Sequence, residues 1–161
     1  MIYNLVTQHN LRGYGFEYIS KVLLRRTQKN NFIFQLCLFD SIEEILTKYR
    51  LRVSPKYIEF IEYAKEEWNR CDLIEFNFEM QNDERVITHI MCYDVKTKHM
   101  NAKRDYFEVC ISNDKFMRNI QTLGVDAKII SVVLFENWRF SLNIFDYNKS
   151  RIRTFSHYKK V

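Results

Sequence analysis

The chain has 161 residues, 47% of them hydrophobic and 16% aromatic, with three glycines and one proline, a composition too apolar and too poor in breakers for a disordered or collagen-like protein. Its length fits a single domain. The net charge of +5 is carried by the C-terminal stretch, where Lys149, Arg151, Arg153, Lys159 and Lys160 follow Asp146 with no acidic residue, so residues 1–146 are neutral. A uniformly cationic surface is thereby excluded.

No apolar run reaches the ~18 residues of a membrane span, and "MIYNLVTQHNLRG" lacks the charged-then-apolar pattern of a signal peptide. The expectation is a cytoplasmic protein with no membrane partner, in the host cytoplasm if the source is viral. Cys37, Cys71, Cys92 and Cys110 are widely spaced among apolar neighbours, which argues for buried thiols rather than a zinc site or a disulfide scaffold.

In chain order, Tyr14 to about Gln28 predicts a helix with Phe16, Ile19, Val22 and Leu23 on one stripe, and Glu17 and Lys21 along another edge. "NFIFQLCLF" (31–39) fits either a strand or a buried helix. Ser41 with Glu44 forms a capping box for a helix to Tyr49. Ser54-Pro55 starts a third helix with Ile58, Ile61, Ala64 and Trp68 inward, its acidic outer face an ordinary solvated surface.

From Asp72 to Met80 the period changes to two, as in a half-buried strand. "QNDE" turns the chain into a second strand, apolar on both faces from Ile87 to Val95, as a covered central strand requires. "KHMNAKR" reads as a loop. Ser112 caps a helix with Phe116, Ile120 and Leu123 inward and Gly124 at its end, and two strands follow, joined through Asn137 and Trp138.

Asp94 and Lys96 project from one strand face about 6.5–7 Å apart, and a hairpin across "QNDE" brings Asp72 opposite Asp94. Two carboxylates beside one lysine suit a hard divalent cation, Mg²⁺ or Mn²⁺, held by Asp72, Asp94 and the Val95 carbonyl. Lys96 would orient or help deprotonate an attacking water, or neutralise the charge of a phosphoryl transition state. The plainer reading is a surface cross-strand ion pair, with Glu17 in an ordinary helix pair. The four histidines lack ligand spacing, and neither GxSxG nor GxxxxGK[ST] occurs.

"GFEYISKVLLRR" (15–26), "CDLIEF" (71–76) and "YDVKTK" (93–98) resemble the PD-(D/E)xK nucleases, the restriction-endonuclease-like or Holliday-junction-resolvase-like superfamily. The resemblance implies an α/β (α+β) core with a mixed central sheet flanked by helices, over residues 1–147, interrupted by a helical insertion at 30–70 and followed by a basic tail at 148–161. It also implies a Mg²⁺-dependent deoxyribonuclease, an endonuclease before an exonuclease, with Glu17, Asp72, Asp94 and Lys96 catalytic, and a homodimer as partner assembly. Cys71 stands where the family has Pro, and Asp94 where it more often has Glu. DNA contacts are expected from Lys98, Lys103 and Arg104 in the acid-free stretch after the site, and from Arg151, Arg153, Lys159 and Lys160, which alternate with Phe155, His157 and Tyr158. The alternatives are a non-catalytic nucleic-acid-binding protein of the same fold, or a structural or interaction protein of a virus or plasmid.

Overall fold

A computed structural model describes residues 15–22, 24, 30–68, 70–100, 114–135 and 140–147. It is a mixed α/β structure. Helix α1 (residues 15–22) precedes β1 (Asn31–Gln35), α2 (Ile42–Lys48), the two-residue β2 (Leu51–Arg52), α3 (Ile58–Glu66), β3 (Leu73–Gln81), β4 (Glu84–Met100), α4 (Asp114–Thr122), β5 (Asp126–Phe135) and β6 (Phe140–Asp146).

The six strands form one sheet in the order β1-β3-β4-β5-β6, with β2 pairing in parallel with the first residues of β4. β4 and β5 also run parallel, while the β1–β3, β3–β4 and β5–β6 pairs are antiparallel. The β3–β4 hairpin closes through Asn82 and Asp83, whose φ values of 49° and 63° are those of a type I′ turn. Asn and Asp tolerate this left-handed region better than most residues.

Both faces of the sheet are covered, which explains why β4 is apolar on each side. On one face Ile42, Ile45, Phe60, Ile61, Met117 and Ile120 from α2, α3 and α4 pack on Ile74, Phe76, Ile87, Ile90 and Cys92. On the other, Leu24 packs with Ile33, Leu73, Met91, Tyr93, Ile130 and Val132. Truncating Ile90, fully buried in the central strand, removes both transfer energy and packing, so Ile90→Ala is expected to cost about 2–5 kcal/mol, read as a fall in the urea midpoint.

Several expectations are corrected. Segment 30–70 is not a purely helical insertion: β1 is a strand of the main sheet, paired with β3 from Asn31↔Asn77 to Gln35↔Leu73. Helix α1 buries Glu17 and Ser20, and Leu24 just beyond it is buried too, while Phe16, Ile19 and Val22 are half-buried. In α3 the inward residues are Phe60, Ile61 and Ala64 behind Tyr57, and Ile58 is 52% exposed, because Pro55–Tyr57 forms a 3-10 turn that shifts the helical phase. Asp72 lies just before β3, whose first four residues are all buried rather than alternating. Finally, Lys98 to Met100 are paired strand residues and not a loop, since β4 continues alongside β5 as far as Met100↔Phe135.

Other expectations hold. Ser41 Oγ accepts from the Glu44 N–H at 3.2 Å, while the Glu44 carboxylate caps the Asp40 N–H at 2.9 Å. Gly124, with φ 79°, follows α4. Among the described residues no helix is long and apolar enough to cross a membrane. Ser112, Asn137, Trp138, Cys110 and the 148–161 tail lie outside the described residues.

Candidate functional site

The register of β3 and β4 builds the site. Leu73 pairs with Tyr93, and the Asp72 N–H donates to the Tyr93 carbonyl at 2.9 Å, so the residue entering β3 lies beside Asp94 in β4. The Val95 N–H donates to Asp72 Oδ2 at 2.6 Å, which pins that carboxylate against β4. Lys96, two residues beyond Asp94, folds back so that Nζ lies 2.8 Å from Asp94 Oδ1. Asp94 is only 1% exposed.

From α1, Glu17 is directed inward to the same cluster. Gln35 Nε2, at the end of β1, donates to Glu17 Oε2 at 3.4 Å, and Cys37 Sγ lies 3.7 Å from that oxygen. Glu17, Asp72, Asp94 and Lys96 are thus brought together by three separate elements, with Gln35 and Cys37 added. Val95 takes part through its amide N–H, which holds the Asp72 carboxylate. Lys98 of β4 pairs along the backbone with Val133 of β5, and Lys103, Arg104, Arg151, Arg153, Lys159 and Lys160 lie outside the described residues.

The cluster is electrostatically uncomfortable. Burial pushes the Asp72 carboxyl up to about 7; the Val95 N–H opposes this, while the adjacent Asp94 and then Glu17 raise it further. Glu17 is also raised, by burial first, against the hydrogen bonds of Gln35 and Cys37. The Cys37 thiol, at the exposed edge, is pushed up by burial and by Glu17. Asp72 and Asp94 approach to hydrogen-bonding range: a protonated Asp72 can donate to Asp94, whereas two ionised carboxylates are both acceptors and repel.

A comparison within the protein shows what this means. Glu75, 2% exposed, is fully provided for: Asn31 Nδ2 donates to Oε1 at 2.9 Å and Tyr93 Oη to Oε2 at 2.5 Å. Asp94 Oδ2 is buried with no hydrogen-bond partner. Such an orphan acceptor is costly unless a cation or donor completes it. Among the described residues no group of three His, Cys, Asp or Glu side chains is arranged to hold a metal ion. Two carboxylates nevertheless fit Mg²⁺, which is commonly held by one or two carboxylates together with waters and substrate phosphates.

Comparison of the chain with protein-family models, with curated proteins and with solved structures finds no match.

Sequence reasoning missed Gln35 and Cys37. Gln35 is the sole strongly polar side chain inside the apolar run "FIFQLCLF" and is 3% exposed. A polar residue in a run otherwise destined for the core is the signal that points to a partnered, site-facing role.

Proposed function

We propose that the chain is a metal-dependent DNA nuclease of the PD-(D/E)xK type. The observation that carries this reading is the pairing of half-buried Asp72 with fully buried Asp94, one of whose oxygens is unpartnered, beside Lys96 on β4. Asp72 and Asp94 would hold Mg²⁺ or Mn²⁺, which supplies an acidified water and neutralises charge on the phosphoryl oxygens. Glu17, fixed by Gln35, adds a third negative charge at the edge of the pair and can accept a hydrogen bond from water. Lys96, tethered to Asp94, presents a cation to the phosphodiester or to the attacking water. Val95 holds Asp72 in place through its N–H.

DNA as substrate is favoured by the basic residues that surround this cluster in sequence, and a homodimer would present two such sites to two strands. Incubation with linear, circular and branched DNA is expected to show cutting with Mg²⁺ or Mn²⁺ and none with EDTA. Cutting that survives EDTA overturns the mechanism. Binding without cutting under any metal would replace it with a non-catalytic nucleic-acid-binding protein, in which the Lys96–Asp94 pair is structural.

The basic tail gives a separate expectation. Removing residues 148–161 deletes five cations and should weaken DNA binding and flatten its dependence on salt, each lost phosphate contact lowering the logarithmic slope by about 0.7–0.9. Fluorescence anisotropy across a salt series checks it, and an unchanged slope would show the tail to be uninvolved.

A further inference from the structure

Far from the carboxylates, at the turn end of the β3–β4 hairpin, a cleft of about 540 Å³ is lined by Arg50, Arg52, Met80, Asp83, Glu84 and Arg85 among others. Arg85 and Asp94 are nine residues apart on β4, roughly 30 Å along a strand, so the cleft is separate from the site above.

Its three arginines differ in how they are held. Arg85 is fixed: its guanidinium lies 5.3 Å from the Phe32 ring centre and 5.8 Å from that of Phe78, and Nη1 donates to the Tyr49 carbonyl at 2.9 Å. Arg52 meets Glu84 at 3.0 Å with both side chains more than half exposed, a pair that water and salt loosen easily. Arg50 follows the C-cap Tyr49 of α2 in the left-handed region, φ 50°, where glycine is the usual residue. Its guanidinium has no partner among the described residues. The chain thus tolerates backbone strain in the cleft lining and leaves a cation there with no partner among the described residues.

We propose that this cleft binds the phosphoryl group of a nucleotide, with Arg50 and Arg52 as the anion contacts. Two arginines with planar forks suit bidentate contact with phosphate oxygens. Asp83 and Glu84, flanking them, disfavour a ligand that is negative throughout and suit one with a compact anionic group plus hydroxyl or amine donors. Met80, 58% exposed, offers a polarisable surface for a base. The volume falls in the range of small-molecule sites. The nucleotide could be free or one unit of a strand, and the chemistry of recognition is the same.

Calorimetric titration of the full chain in EDTA, with dAMP, deoxyadenosine, inorganic phosphate and a short single-stranded oligonucleotide, tests the site. Saturable dAMP binding is expected, with deoxyadenosine and inorganic phosphate each at least ~10-fold weaker. Arg50→Gly should weaken dAMP binding at least ~10-fold, as loss of a charged hydrogen bond does. Relief of the left-handed strain should at the same time raise its melting midpoint by ~2–4 °C, which separates lost binding from lost folding. Tighter binding of the oligonucleotide supports a strand as the source, and preference for dAMP supports a free nucleotide.

Absence of saturable binding, phosphate binding as tightly as dAMP, or unchanged binding by Arg50→Gly overturns the proposal. So does loss of dAMP binding in Asp94→Asn, which would place the nucleotide at the carboxylates. Binding that is sensitive to Arg50→Gly stands even if no DNA is cut.

Discussion

Asp94→Asn is expected to abolish DNA cutting while making the metal-free protein more stable at pH 8. The two halves have one cause. Asp94 is buried, its Oδ2 has no partner among the described residues, and it faces the carboxylates of Asp72 and Glu17 with Lys96 paired to its other oxygen. Asparagine keeps the shape, preserves an acceptor for Lys96, and supplies an N–H₂ group able to donate to Asp72. Like-charge repulsion becomes a hydrogen bond, worth about 1–3 kcal/mol when the acceptor is ionised. Activity should fall at least ~10³-fold, because a neutral amide binds a hard divalent cation poorly and the developing charge loses its stabilisation.

Lys96→Ala differs in a way that serves as a control. It should lose ~10²-fold or more in cutting, but it removes the cation paired with Asp94 and so should lower stability, by the penalty of a buried charge deprived of its partner. Melting curves in EDTA and single-turnover cutting of a labelled duplex measure both quantities. An Asp94→Asn protein that melts below the parent at pH 8, or cuts within tenfold of it, would remove the basis for calling this pair functional. Sites that bind charge are commonly bought at the expense of stability, and relief of strain on neutralisation is the mark of such a trade.

How far the site could be read from sequence depends on the element concerned. The Asp72–Asp94 juxtaposition followed from a two-residue turn and strict alternation, since a tight Asn-Asp turn leaves little freedom in register. A bulge where Asn77/His89 gives way to Phe78/Ile87 shifts the pairing nearer the turn, yet the pairing at the site end places Leu73 opposite Tyr93. Glu17 was legible as a motif residue but not as a buried one. The strongest apolar stripe of α1 is Phe16, Ile19 and Val22, and only tertiary packing turns Glu17 and Ser20 toward the sheet, where Gln35 awaits the carboxylate.

Strand β1 was ambiguous because a short apolar run has no period to separate strand from buried helix. Its role as the sheet edge comes from pairing with β3, a long-range contact that no local pattern encodes. The two residues of β2 are too few to carry a pattern at all, and the end of β4 reads as polar loop because its strand character comes from β5 beside it. In α3 the local start mattered: the 3-10 turn after Ser54 changes the phase by which Phe60 instead of Ile58 faces inward.

Metal and pH should act on stability through the same carboxylates. Asp72 ionises near 3.8 in an unfolded chain and near 7 in the folded protein. Between these values the folded state carries a proton that the unfolded state has released, so stability is greatest below the unfolded value and declines as pH rises through about 7. Glu17, also raised, acts in the same direction. In EDTA the melting midpoint should therefore fall between pH 5.5 and 8 by roughly 5–10 °C, corresponding to a few kcal/mol in a domain of this size.

Glu17 is raised alongside Asp72, so the parent curve alone does not assign the slope. Asp72→Asn does, because it retains the acceptor for the Val95 N–H while removing the titration, and most of the fall should vanish in it. A divalent cation stabilises the folded state in proportion to how fully the carboxylates are ionised. About 10 mM Mg²⁺ should thus raise the midpoint by several degrees at pH 8 and little at pH 5.5. Equal shifts at the two pH values, or parallel curves for the parent and Asp72→Asn, would show that the cation binds elsewhere and that the close approach of Asp72 to Asp94 has no part in holding it.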